Sequence, residues 1–321
     1  MQRNCEDEDN ARSTALSRTT TPTHKSNDML TPNNCVKSSI VPDSDSQNTE
    51  PSKSAILDRL LHWHELEEWQ RDNEFIHTGY VPSRNSMTFV FKSLTYVHNE
   101  TVNIYSHLLP GLFSIIVLVL YIQSVTTPYI IFALGCFTCL VLSASFHLLK
   151  SHSLRIAILG NKLDYLGICI LIAASMLAIL DISYADFPIP RFIFSTISII
   201  LGFACSYASL SDTFRSRKYR PIRAFMFVCY GLSGVLPVLY GTHRFGYAEM
   251  SKRSGLPYLY AEAFFYIFGA FLYAVRFPEK YNPGNYDLFG HSHQIFHVFV
   301  VIAAYCHFAC LQAADIYRRT L

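Results

Sequence analysis

Two histidines stand one helical turn apart in an apolar stretch near the C-terminus. His293 and His297 lie within HSHQIFHVFVVIAAYCHFAC, residues 291–310. On an α-helix this spacing places both imidazoles on the same face. Helices use that arrangement to offer two nitrogen ligands to one metal ion. Polar groups inside a membrane span are costly, so the pair indicates a functional site.

Three further polar residues are predicted to lie at the same membrane depth. Ser143 and His147 are one turn apart at the end of the second apolar segment, and Asp164 opens the third in NKLDY. Three imidazoles with an open fourth position form the ligand set of catalytic zinc. With zinc on His147, His293 and His297, Asp164 could hold the zinc-bound water or take its proton. Ser143 could orient substrate or water.

Two alternatives to zinc remain open at this point. A single histidine in a span is more often a packing residue than a ligand, although the concurrence of several at one depth favours a metal. Haem between two histidine-bearing helices is the rival metal site. His307 lies about 15 Å along the helix beyond His297, and no histidine of another span matches its depth. We expect His307 to be structural and Glu262 to be solvated or paired.

The composition indicates how these residues are positioned. Hydrophobic residues make up 50% of the 321-residue chain and charged residues only 16%, which is typical of a membrane protein. Seven apolar segments have nearly the 20 residues that cross a bilayer. They lie at about residues 102–123, 129–149, 163–181, 192–210, 222–240, 257–275 and 293–313. The predicted fold is an all-α, multi-pass seven-transmembrane helix bundle.

The regions outside the spans divide the chain further. Residues 1–55 are polar, and we expect a disordered cytosolic tail without a secretory signal. Residues 56–101 are predicted to form an amphipathic helix and a lead-in on the cytosolic face, because apolar residues recur at helical spacing in residues 54–76. The zinc-binding bundle would occupy residues 102–313, and residues 314–321 a short extracytosolic C-terminus. A net charge of +2 gives no indication of nucleic-acid binding.

The distribution of Lys and Arg predicts the orientation. With a cytosolic N-terminus, the cytosolic connections contain more Lys and Arg than the connections on the other side. We therefore expect an N-in, C-out topology. The ends of the spans that carry the metal-site residues then lie in the cytosolic leaflet. The glycosylation sequence Asn99-Glu100-Thr101 would also face the cytosol and stay unmodified.

Several other residues in the spans have more than one interpretation. Arg223 could snorkel to the lipid headgroups or point inward to hold an anionic head group. Tyr165 and Tyr273 are more often core or interface aromatics than ligands. Asn103 and His107, at the start of the first span, are expected to cap or lock that helix.

Six motifs in order resemble one known family. They are ELEEWQRDNEFIHTGYVPS, HNETVNIYSHL, SASFH, NKLDY, GLSGVLP and SHQIFHVFVVIAAYCHF, over roughly residues 60–313. Together they resemble the progestin and adiponectin Q receptor (PAQR) family, the haemolysin III-related proteins. The chain looks most similar to fungal members linked with zinc homeostasis and is also close to the adiponectin receptors.

The resemblance implies roles for individual residues. The family's Ser-x-x-x-His matches Ser143 and His147, its Asp matches Asp164, and its His-x-x-x-His matches His293 and His297. It implies that the histidines hold zinc and that the Asp holds its water, in a cavity open to the cytosol and the inner leaflet. It also implies a place near the fatty-acid end of that cavity for Arg223, Tyr165 and Tyr273.

The sequence and the resemblance together lead to a functional hypothesis. We expect a zinc-dependent hydrolase of a lipid amide, with ceramide or fatty acid as the membrane partner, in the plasma membrane or endoplasmic reticulum. The alternative is a receptor with structural zinc and an extracellular protein or steroid agonist. A channel is disfavoured, because the polar layer does not continue through the membrane.

Overall fold

The part of the chain with a described structure is built from α-helices. In this computed structural model the described residues are 59–121, 126–212 and 217–321. Their helices are α1 Met87–Lys92, α2 Thr101–Tyr121, α3 Thr127–Leu149, α4 Leu154–Ser183, α5 Pro188–Leu210, α6 Arg220–Leu232, α7 Val235–Phe245, α8 Tyr247–Ser254, α9 Leu256–Val275 and α10 Ser292–Arg318.

Seven of the described segments are long and apolar enough to cross a membrane. They are α2, α3, α4, α5, the α6–α7 pair, α9 and α10. The predicted all-α seven-span bundle is therefore confirmed. The bounds differ at the third span, which begins at Leu154 instead of near residue 163. Asp164 thus lies inside α4, because the helix begins before Arg155 and continues through Lys162.

Helices α4 and α10 pack at the centre of the bundle and carry the residues of interest. Helix α4 contacts α3, α5, α6, α8 and α10, while α10 contacts α2, α3, α4, α8 and α9. Gly167 allows α4 to approach α3 closely, since a Cβ atom placed there would lie 3.0 Å from the Cα of Cys139. Such close backbone approach is usual for small residues between membrane helices.

The predicted amphipathic helix is wrong over residues 59–76. This segment holds only two short 3₁₀ turns, at Trp63–Glu65 and Glu68–Gln70. Part of its backbone bonds to residues farther along the chain: the Leu61 N–H donates to the Tyr80 carbonyl at 2.7 Å and the Trp63 N–H to the His77 carbonyl at 2.8 Å. Residues 54–58 and the predicted tail at residues 1–55 lie outside the described ranges.

The same N-terminal segment locks the start of α10. The Glu279 carboxylate is fully buried and accepts hydrogen bonds from the Ser292 N–H at 2.7 Å and from the Asn73 Nδ2 at 3.0 Å. Asp287 accepts a hydrogen bond from the His77 N–H at 2.9 Å. These carboxylates fix the height at which α10 begins, and therefore the position of the histidines in its first turns.

The potential glycosylation site lies inside the protein. Asn99 is only 4% exposed, and its carbonyl accepts a hydrogen bond from Gln294 Nε2 at 3.3 Å. Burial alone would keep a folded Asn99 unmodified on either side of the membrane.

Candidate metal centre

Three histidines from two helices converge at one end of the bundle. His147 comes from the last turn of α3, and His293 and His297 from the first two turns of α10. One ring nitrogen of each lies within 4.8 Å of the corresponding nitrogens of the other two. His147 and His297 are buried and His293 is partly buried. This cluster could bind a metal ion.

Hydrogen bonds to the other ring nitrogens orient two of these imidazoles. His147 Nδ1 lies 2.7 Å from Glu100 Oε2, and His297 Nδ1 lies 3.0 Å from the Asn103 carbonyl oxygen. Both oxygens are acceptors, so each Nδ1 carries the proton and each Nε2 keeps its lone pair. His147 Nε2 is buried and has no hydrogen-bond partner among the described residues. Histidine ligands of metals are oriented in this way, so the residues fit a metal.

Glu100 connects His147 to the loop after α3. Besides His147, its carboxylate accepts hydrogen bonds from Lys150 Nζ and from Asn103 Nδ2, the latter at 2.6 Å. Burial disfavours the charged carboxylate, but the positive charge of Lys150 and the contact with His147 hold the pKa of Glu100 well below its ordinary value. Sequence analysis missed this residue. The sequence nevertheless places this acidic side chain directly before the first span, at the membrane depth predicted for His147, which could have indicated the contact.

His107 supports His297 from the first span. The two rings stack with their centroids 3.7 Å apart and an angle of 4° between their planes. His107 Nε2 also lies 3.3 Å from the His297 carbonyl oxygen. These contacts, with the Asn103 hydrogen bond, agree with the expectation that Asn103 and His107 lock the first span in place.

Ser143 and Asp164 lie in the wall of the cavity that the histidines border. Both side chains are buried, and both line the cavity. Ser143 is one turn before His147 on α3, and Asp164 faces it from α4. The structure therefore brings a carboxylate and a hydroxyl to the cavity of the three-histidine cluster.

The cavity has a volume of about 900 Å³ and extends into the bundle. Arg223, Tyr165 and Tyr273 also line it. Arg223 is 5% exposed, with its guanidinium carbon 5.0 Å from the centre of the Tyr165 ring, so it points into the protein and does not snorkel. The Tyr273 ring centre lies 5.0 Å from that of His293. Every site residue suggested by the sequence thus borders one cavity.

Comparison with known proteins agrees with this architecture. A family model described as Haemolysin-III related matches residues 95–308. The chain is 50% identical over 262 residues to the ADIPOR-like receptor IZH2 of Saccharomyces cerevisiae, covering 78% of this chain and 83% of the relative. It is 41% identical over 271 residues to the ADIPOR-like receptor IZH1 of Eremothecium gossypii, covering 81% and 86%.

A more distant animal relative extends the comparison. The adiponectin receptor protein of Drosophila melanogaster is 37% identical over 269 residues, covering 81% of this chain and 60% of the relative. The residues that the family model matches include His147, His293 and His297. The chain therefore belongs to the haemolysin III-related family of seven-span membrane proteins, which includes the adiponectin receptor-like proteins.

Proposed function

We propose that this protein holds a zinc ion on His147, His293 and His297 and hydrolyses the amide bond of a ceramide-like lipid. The observation that carries the proposal is the combination of an oriented three-histidine cluster with a buried carboxylate in one intramembrane cavity. Three neutral imidazoles suit zinc and leave one coordination position open. When bound, zinc would polarise the amide carbonyl and lower the pKa of water toward about 7.

Asp164 is the proposed general base. It would accept a proton from the attacking water and return it to the amide nitrogen as the carbon–nitrogen bond breaks. The oxygen of water then remains on the acyl carbon, and the products are a fatty acid and a sphingoid base. Its position supports this role, because the carboxylate is buried and lines the cavity that the three histidines border. Ser143 would act by orienting Asp164 and the water.

The remaining cavity residues would bind the lipid. A volume of about 900 Å³ is within the usual range for ligand pockets, and its walls are mainly apolar. The buried guanidinium of Arg223, next to Tyr165, would hold a polar or anionic group of the lipid. Tyr273 would pack beside the reacting amide, because its ring contacts His293.

The proposed orientation is N-in and C-out, with the zinc site on the cytosolic side of the plasma membrane or the endoplasmic reticulum. The excess of Lys and Arg in the corresponding connections supports it. The protein would then act on lipids of the cytosolic leaflet, in lipid and zinc homeostasis.

A receptor with structural zinc is the alternative function. The relatives in S. cerevisiae and E. gossypii are named ADIPOR-like receptors. The stacked and hydrogen-bonded histidines would also suit a metal that holds α2, α3 and α10 together. The output would then be a conformational change in response to an extracellular protein or steroid.

Metal analysis and turnover of the same purified samples test the proposal. We expect about one zinc per chain and release of fatty acid from a short-chain ceramide. Asp164→Asn should keep the zinc and lose the release, because the amide cannot accept the proton. Asp181→Asn is the matched control, since Asp181 is on the same helix but pairs with Arg191 at 3.0 Å.

Three outcomes separate the two functions. Unchanged turnover in Asp164→Asn would show that Asp164 is not the base. Zinc in the wild type without any release of fatty acid, together with a loss of thermal stability in His293→Ala, would favour the receptor. Absence of zinc would contradict both.

A further inference from the structure

A second buried pair of polar side chains lies in the cavity, away from the three histidines. His307 of α10 places its Nδ1 atom 2.8 Å from Oε2 of Glu262 on α9. Their side chains are 2% and 12% exposed, and both residues line the cavity. The sequence suggested a structural His307 and a solvated or paired Glu262. In the structure the two residues pair with each other, and the pair lies at the cavity wall.

His307 shares a helix face with the three-histidine cluster. His293, Val300 and His307 follow one another at intervals of two helical turns, and all three line the cavity. Along the axis of α10, His307 lies roughly 15 Å beyond His297. Apolar side chains also line the cavity, among them Leu171 and, between His297 and His307 on α10, Val300. The cavity therefore holds two separate groups of histidines, about 15 Å apart along α10, in walls that are mainly apolar.

One ring nitrogen of His307 has no hydrogen-bond partner among the described residues. Because the Glu262 carboxylate accepts, Nδ1 of His307 carries the proton and Nε2 keeps its lone pair. Nε2 is buried without a hydrogen-bond partner in the described part of the chain. Its neighbour on one side is the Phe132 ring, with 4.6 Å between the ring centres. An unpaired buried acceptor is unfavourable, and a donor brought by a ligand would satisfy it.

We propose that His307 and Glu262 form a second polar subsite, which binds a hydroxyl group at the distal end of a lipid chain. The hydroxyl would donate to His307 Nε2, while Glu262 holds the imidazole in the required tautomer. The other polar end of the same lipid would lie at the three-histidine cluster. The inference depends on the proposed function only in requiring that the cavity holds a lipid. It makes no use of zinc or of turnover.

Three fatty acids that differ only in a hydroxyl group test the subsite. The full-length protein in nanodiscs would be freed of lipid, and displacement of a fluorescent fatty acid would be measured with palmitic, ω-hydroxypalmitic and α-hydroxypalmitic acid. We expect ω-hydroxypalmitic acid to bind about tenfold more tightly than the other two, as one buried hydrogen bond predicts. The α-hydroxy isomer controls for polarity, because its hydroxyl lies beside the carboxylate. This comparison needs no variant.

Variants then assign the preference to the pair. His307→Phe should remove the preference and leave the affinity for palmitic acid within about twofold, since the apolar contact remains. Glu262→Gln should retain most of the preference, because its amide oxygen still accepts from Nδ1, whereas Glu262→Leu should lose it. Cys306→Ser is the matched control: it changes polarity in the same turn of α10, and Cys306 does not line the cavity.

The outcomes distinguish this inference from the proposed function. Equal affinity of the wild type for all three acids would overturn the subsite and leave the zinc site untouched. A preference that survives in His307→Phe would also overturn it. Binding of none of the three acids would contradict a lipid-binding cavity, and with it both proposals.

Discussion

Removing Glu100 should weaken metal binding by one to two orders of magnitude. The Glu100 carboxylate lies 2.7 Å from His147 Nδ1, and the two side chains are 13% and 1% exposed, so water cannot readily replace the contact. Loss of a partner that orients a metal ligand typically costs about 10- to 100-fold in affinity, which corresponds to about 1.4 to 2.8 kcal/mol. Glu100→Ala should approach the upper value, because it also removes the carboxylate that accepts a hydrogen bond from Lys150.

Glu100→Gln should have a smaller effect, near tenfold. Its amide oxygen can still accept from Nδ1, but it lacks the negative charge that makes the imidazole a better ligand. The assay is a competition titration of the purified protein against a chromophoric zinc chelator. Glu74→Ala is the control, because Glu74 is exposed and forms an ion pair with Arg276 at 3.5 Å.

The refuting result is clear in this assay. If folded Glu100→Ala bound zinc within about twofold of the wild type, the carboxylate would not orient the ligand. If it failed to fold, Glu100→Gln would still test the argument, since it preserves the size and the hydrogen-bond acceptor.

Two other predictions follow from the ends of the bundle. Glu279→Ala should lower the unfolding free energy by about 1 to 3 kcal/mol and weaken zinc binding, because it leaves the Ser292 N–H at the start of α10 unpaired. Thermal unfolding of this variant, with Glu74→Ala as control, measures the loss of stability. Unchanged stability would contradict the prediction. Leu321→Cys, at a position 64% exposed, should react with a membrane-impermeant maleimide in intact cells beyond the level of the unsubstituted protein if the C-terminus is outside. Labelling that first appears when the plasma membrane alone is permeabilised would reverse the topology. In the endoplasmic reticulum, a C-out chain would react only after the internal membranes are also opened.

Much of the site could be predicted because helices are regular. The four-residue spacing of His293 and His297 determines a shared helix face whatever surrounds the helix. Counting apolar segments places Ser143 and His147 at the membrane depth of His293 and His297, since consecutive spans alternate in direction. Both arguments use only local geometry and the thickness of the bilayer.

Other features depend on partners that are distant in the chain. The stretch at residues 59–76 has the apolar spacing of a helix, yet part of its backbone bonds to Tyr80, His77 and Gly284, and Leu66 and Ile76 are buried in the folded chain. From the sequence, the Arg223 side chain could point either to the lipid headgroups or into the protein. Only the packing of α6 turns it inward beside Tyr165.

The sequence by itself determined the seven spans and the candidate metal ligands, because period and hydrophobicity are properties of single segments. The rotation of each helix about its axis, and therefore which side chain meets which, depends on packing between segments. Only the tertiary structure could therefore join Glu100 to His147, stack His107 on His297, and place the His307–Glu262 pair in the same cavity.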